Sequence, residues 1–162
     1  MMRKTIIKKN AVVIVALFAT AMISSASLVA DEPMPEGEIK PVVVKQFLAE
    51  AKKNKNWKTA IATGKHEQIV FMNICLHTNP NNEIGTEVHP FDQVILIVEG
   101  QGKVVMNGSS AIVQSGDMVF IPEGKSHNVI NFDDGRALKL ISFYSNIVIP
   151  KDAAYKTKAD EL

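Results

Sequence analysis

Four side chains able to ligate a metal stand in two short stretches of this chain. Glu87, His89 and Gln93 lie in NEIGTEVHPFDQVILIVEGQG, and His127 lies in GDMVFIPEGKSHNVIN, Gly116 to Asn131. Glu87 and His89 are two positions apart, so on a strand they point to one face. If that face is inward, both converge with His127. Two imidazoles and one carboxylate suit divalent iron, manganese, nickel or zinc and leave coordination positions open. Gln93, four residues further on, offers an amide oxygen as a fourth ligand. A lone His127 would read as a half-buried histidine capping a turn; its partners make it a ligand.

The second stretch also shows how a ligand is aimed. A short apolar strand, Met118 to Ile121, ends at Pro122, which cannot donate to a sheet ladder. A turn through Gly124 follows, and the next strand opens by presenting His127. Gly116, Pro122 and Gly124 therefore read as structural, and Asn131 as a turn or hairpin residue. Asp92 reads as a strand-end carboxylate on the rim before it reads as a general base. His66 has two open readings, an acid–base group facing the pocket or a structural hydrogen bond at a strand start. His77, beside Asn79-Pro80-Asn81-Asn82, reads as exposed.

Strands must position these groups. From Lys65 onward, short apolar segments alternate with turn chemistry such as Asn107-Gly108, Ser115-Gly116 and Asp133-Asp134-Gly135. The segments are Gln68–Leu76, Gln93–Val98, Lys103–Met106, Ala111–Val113, Met118–Ile121, His127–Asn131 and Ala137–Ser145. Many short strands with Gly-rich turns predict an all-β antiparallel sandwich or barrel in one domain. Phe71, Met72, Met106, Met118, Phe120, Phe132 and Phe143 are expected in its core or along a pocket wall. Upstream, Val42 to Lys55 carries Val43, Val44, Phe47, Leu48 and Ala51 at helical spacing and predicts a short amphipathic helix on the outside of that domain.

The first thirty residues have a separate logic. Arg3, Lys4, Lys8 and Lys9 precede an apolar run, Ala11 to Ile23, then small residues up to Ala30. This is the layout of a cleaved secretory signal, with cleavage after Ala26 or Ala30, and the run is short of the roughly 20 residues that span a bilayer. A periplasmic or secreted protein with no stable membrane anchor is expected. The whole chain has 18 basic and 17 acidic residues; without residues 1–30 the balance becomes 14 against 17, a net of −3. Nothing basic enough for a phosphate backbone remains, which argues against nucleic acid as a partner. Cys75 is the only cysteine, so no intrachain disulfide forms. It sits in the apolar run IVFMNICL and reads as a buried structural thiol.

The paired stretches resemble the two motifs of the cupin superfamily. The second motif matches in full through Gly116, Pro122, Gly124, His127 and Asn131. In the first, Gln93 falls where these proteins usually carry a glutamate, His89 where they carry the second histidine, and Glu87 where they carry the first. A second register, with His89 as the first histidine, would leave only His89 and His127 as ligands. TGKHEQIVFM, IGTEVHPFDQ, VEGQGKVVM, IPEGKSHNVIN and YKTKADEL are similar to a bacterial group of small cupins labelled mannose-6-phosphate isomerase-like. The resemblance implies a single-domain cupin, a double-stranded β-helix or jelly-roll barrel, over residues 63–150. Residues 31–62 would form a linker and the short N-terminal helix, and 151–162 a C-terminal tail. It further implies a divalent metal ion, a small-molecule ligand and a homodimer. Isomerase- or oxygenase-type chemistry on a sugar or hydroxy-carbonyl compound stands beside a non-catalytic binding module as the two open functions.

Overall fold

The computed structural model describes residues 39–161. The expected signal segment 1–30 and its cleavage positions lie outside the described residues. Among the described residues, nine strands make two antiparallel sheets. The larger sheet has the order β6-β3-β8-β2-β1-β9, and the smaller β5-β4-β7. In chain order they are β1 (Lys58–Thr63), β2 (Gln68–Ile74), β3 (Gln93–Glu99), β4 (Gln101–Met106), β5 (Ser109–Gln114), β6 (Met118–Ile121), β7 (His127–Asn131), β8 (Leu138–Tyr144) and β9 (Ala154–Tyr155). The seven strands expected from Gln68 onward all form, with ends shifted by at most two residues.

Alternation sorts the faces. Val70, Met72, Ile74, Ile95, Ile97, Val104, Val129, Leu138, Leu140 and Tyr144 point between the sheets and form the main core. At the middle of β2 and β8 three consecutive residues are buried instead of every second one. The extra residues, Phe71 and Ile141, point outward and are covered by helix α1 (Phe47–Lys53) through Ala51, while the Phe47 ring lies 5.1 Å from that of Phe71.

Four expectations need correction. The helix is shorter than Val42 to Lys55 because it follows Pro41 and the β-branched run Val42-Val43-Val44, both poor helix material. Val43 and Leu48 are exposed, so only part of the expected stripe packs. The supposed linker 31–62 contains β1, and the tail 151–162 contains β9, paired to it through Lys58↔Tyr155 and Thr59↔Ala154. KTAIAT lacks the large apolar residues that announce a strand, and its neighbours supply the pairing instead. Met118 and Phe120 lie outward on edge strand β6, exposed, while Val119 and Ile121 point into the core. Cys75 follows β2 and is half-buried.

Candidate metal centre

Glu87 reaches the site through backbone pairing. Residues 82–87 run antiparallel to β7 without forming a continuous strand. Isolated bridges join Glu83 to Ile130 and Glu87 to His127. At the second bridge the two residues exchange both bonds, Glu87 N–H to the His127 carbonyl at 2.9 Å and the reverse at 3.0 Å. Directly paired residues share a face, so both side chains point inward. His89, two further on, points the same way, while Val88 between them is exposed. The expected strand is thus a tethered extended segment, yet its alternation holds. Asn128, outward beside His127, pins it: the Gly85 N–H donates to Asn128 Oδ1 at 3.0 Å, and Asn128 Nδ2 donates to Glu83 Oε2 at 2.7 Å.

The Pro-Gly turn positions both histidines. Gly124, at φ +74°, a conformation glycine adopts without strain, donates its N–H to the His89 carbonyl at 2.8 Å. The Lys125 carbonyl lies 3.0 Å from His127 Nδ1. A carbonyl only accepts, so Nδ1 carries the hydrogen and a neutral His127 presents its Nε2 lone pair to the site. His127 Nε2 is 3.9 Å from Glu87 Oε2, and His89 Nε2 is 3.3 Å from the same oxygen. One ligand atom from each of the three residues lies within 4.8 Å of the others.

These atoms are short of partners. His89 Nε2, His127 Nε2 and Gln93 Oε1 are buried with no hydrogen-bond partner among the described residues. The 3.3 Å approach of His89 to Glu87 is close enough for attraction but fails the geometry of a hydrogen bond. Buried lone pairs without donors are costly, and a cation among the ligand atoms of Glu87, His89 and His127 would satisfy the two imidazoles. The donor set therefore fits a divalent metal ion. Gln93 is buried on the inner face of β3, and its Nε2 donates to Ser142 Oγ at 2.7 Å, which frees its amide oxygen.

Burial pushes the Glu87 carboxyl up, but the adjacent His89 nitrogen and the positive charge of Lys58 pull harder, and the net shift is downward. Glu87 is an anion at neutral pH. Tyr144, fully buried, lies with its ring edge-on to His89 at 5.7 Å; burial, then the Glu87 charge, raises its phenol and keeps it protonated. Phe91 stacks on His89 at 4.9 Å. Glu87 and His89 keep 26% and 18% of their side-chain surface, against 2% for His127, so solvent reaches the centre from the Glu87 side.

The other candidates fall elsewhere. His66 is exposed in the turn between β1 and β2, outside the expected strand and outside the metal-ligand group. Asp92 is an exposed rim residue whose Oδ1 accepts the Glu123 N–H at 2.8 Å. His77 is exposed and contacts Asn82. Asn131 is a buried organiser: its amide donates to the carbonyls of Cys75 at 2.7 Å and Arg136 at 2.9 Å. Lys58, Asn128 and Tyr144 escaped the sequence reading. Asn128 and Tyr144 each lie inside a segment already marked as a strand, but Lys58 stood in a segment read as linker.

A family model described as cupin domain matches residues 76–144, which include all four proposed ligands. The chain is 36% identical over 128 residues to the protein YrkC of Bacillus subtilis, covering 75% of this chain and 66% of YrkC. It thus spans slightly less than two thirds of that relative. The crystal structure of BH2720 from Bacillus halodurans superposes with a TM-score of 0.68 at 34% identity, over 75% of this chain and 92% of that one. A cupin superfamily protein from Desulfitobacterium hafniense shares the fold at 15% identity, with a TM-score of 0.54 over 68% of this chain and 99% of its own.

Proposed function

This chain belongs to the cupin superfamily, and we propose that it is an exported member that holds a divalent metal ion and a small oxygen-rich ligand. The observation that carries the reading is the convergence of Glu87, His89 and His127 with two unpartnered imidazole nitrogens. Glu87, His89 and His127 would hold the ion, with the Gln93 amide oxygen as fourth ligand. Iron, manganese, nickel and zinc all suit one carboxylate and two imidazoles. A bound ion would supply Lewis acidity toward a sugar or hydroxy-carbonyl compound, the polarisation that isomerase- and oxygenase-type chemistry requires.

The surrounding residues support binding more directly than turnover. Phe91 and Tyr144 form an aromatic wall on His89 and exclude water from that side. His66 and Asp92, the two acid–base candidates, are off the site or engaged. This favours a non-catalytic binding module as the second reading, with the same metal. The likeness to mannose-6-phosphate isomerase-like cupins, the homodimer and the periplasmic or secreted destination belong to the same proposal.

Metal analysis of the purified protein beside a Glu87→Ala/His127→Ala double variant is the decisive experiment. Near-stoichiometric metal in the parent and background metal in the variant are expected; equal, negligible metal in both overturns the proposal. Turnover of a panel of sugars, diketones and catechols by the loaded protein then separates enzyme from binding module. Sequencing the N-terminus of exported protein tests cleavage after Ala26 or Ala30, and a start at Met1 counts against it.

A further inference from the structure

An unpaired sheet edge offers backbone N–H and C=O groups to any extended chain. Three of the four edges among the described residues are blunted. β5 begins with Ser109-Ser110 and ends with Gln114, β7 is flanked by residues 82–87, and β9 has only two residues. The fourth, β6, is different. Its sequence MVFI carries no charge, and Met118 and Phe120 are 63% and 51% exposed. Their register partners on β3 are Leu96 and Val94, so the apolar strip continues across the outer face of the sheet. The ladder also fixes which backbone groups are free. Ile97 N–H donates to the Asp117 carbonyl at 2.9 Å, and the register then makes Ile95↔Val119 and Gln93↔Ile121 the hydrogen-bonded pairs. The N–H and C=O groups of Met118 and Phe120 therefore point to the open edge. Among the described residues they bond to no other backbone group.

We propose that a second copy of this chain fills this edge, with β6 pairing antiparallel to β6 of the copy about a two-fold axis at Val119. In that register Met118 of each copy lies opposite Phe120 of the other, so the outward groups form two hydrogen-bonded pairs. The ladder then ends without orphaned donors. The next such pair joins Gly116 to Pro122; the Gly116 N–H is already spent on the Ile97 carbonyl at 2.9 Å, and proline has none. Asp117 meets Ile121 and Ser115 meets Glu123, so no like charges face each other. The Asp117 carboxylate is itself engaged by the Gln114 N–H at 2.8 Å. Met118 and Phe120 of both copies form one sulfur–aromatic cluster beside the axis. An unrelated extended segment meets the edge donors, but a copy also supplies the matching apolar pair and the matching ends. The edge is about 14 Å long and covers less than the about 800 Å² a side of a standard interface, so the dimer is reversible, with a micromolar dissociation constant. This rests on the homodimer in the reading above and names its surface; it does not depend on the metal.

Sedimentation equilibrium from low micromolar to millimolar protein compares the parent with Phe120→Lys and Met118→Pro. The first puts a charge on an already exposed position, and the second removes a donor that points away from β3, so both should keep the fold, as melting curves check. The parent should pass from monomer to dimer with concentration, and each variant should raise the dissociation constant at least tenfold. Cysteine pairing in a Cys75→Ser background reads the register. Opposite Met118 and Phe120 have α-carbons about 5.5 Å apart, within disulfide reach. Met118 to Met118, or Phe120 to Phe120, is a diagonal of about 7–8 Å and is too long. With diamide, a mixture of Met118→Cys and Phe120→Cys should therefore cross-link, and neither variant alone should do so. A parent that stays monomeric overturns the proposal together with the homodimer and leaves the edge to a segment of another chain. A dimer that both variants leave intact overturns this surface alone. Open-ended association overturns the closed two-fold pairing. Cross-linking of either cysteine variant by itself, or of no sample at all, overturns the register. If Phe120→Lys does not fold, Met118→Pro decides. Metal content of the same samples reports on the metal reading separately.

Discussion

His127 has the narrowest freedom of the proposed ligands, because its Nδ1 is committed to the Lys125 carbonyl and its Nε2 faces the carboxylate of Glu87. His127→Ala removes one ligand and leaves the turn that aimed it. Metal affinity should fall by more than the roughly 10–100-fold that losing an outer-shell partner costs, while circular dichroism stays native. Ser142→Ala is the outer-shell counterpart. It leaves the Gln93 amide N–H without its 2.7 Å acceptor, so affinity should drop by about 10–100-fold if Gln93 is the fourth ligand. An unchanged dissociation constant would remove Gln93 from the set. Acid dependence has a definite sign at Glu87. Its carboxyl is lowered from the ordinary value of 4.5, so its stabilising contribution is full above about pH 4.5 and is lost as pH falls through the lowered value. In metal-free protein, the stability difference between the parent and Glu87→Gln should therefore shrink on acidification, as read from urea midpoints across that range.

At the scale of elements, glycines fix where the sheets touch. A β-carbon on Gly102 in β4 would stand 2.5 Å from Leu138 Cδ2 and 2.9 Å from the Ile130 carbonyl oxygen. A side chain can move aside, but a paired strand's carbonyl cannot do so cheaply. Gly102→Ala should cost about 1–3 kcal/mol, the usual range for overpacking a core. Denaturant unfolding checks this, and an unperturbed midpoint would mean that β4 and β8 can separate. Strands of this kind were legible in advance because Val, Ile and Leu recur between turn signals, as in QVILIVE. Glu87, His89 and His127 were legible for a similar reason: the two-residue period survives where no ladder forms. KTAIAT was not legible. Its membership in the large sheet comes from β2 on one side and β9 on the other, partners far apart along the chain. Lys58 was hidden with it, since a lysine in a polar segment reads as solvated until tertiary pairing turns it inward. Tyr144 was missed because its chemistry lies in its neighbours, His89 and Glu87, and not in its own segment.

Across the whole molecule, long-range ties take the place of a disulfide. Cys75 is the sole cysteine, so a reductant should leave the melting temperature unchanged. The proposed metal would instead join residues 82–89 to β7, two pieces of backbone held by two isolated bridges and the Asn82 and Asn128 side chains. Binding confined to the folded state stabilises by mass action, about 2.7 kcal/mol at free metal one hundred times the dissociation constant. For a chain of this size that corresponds to roughly 5–10 °C in melting temperature. The Glu87→Ala/His127→Ala double variant should show no such rise. Amide exchange locates the effect, because local opening is set by the bonds that close each segment. Without metal, the amides of Ile84 and Glu87, which donate to Val129 and His127, should exchange well before those at the centre of β8. With metal, they should slow toward the rate of the core while the β5 edge stays as it was. Equal protection in both states would leave the three converging side chains as a polar cluster that the fold satisfies without an ion.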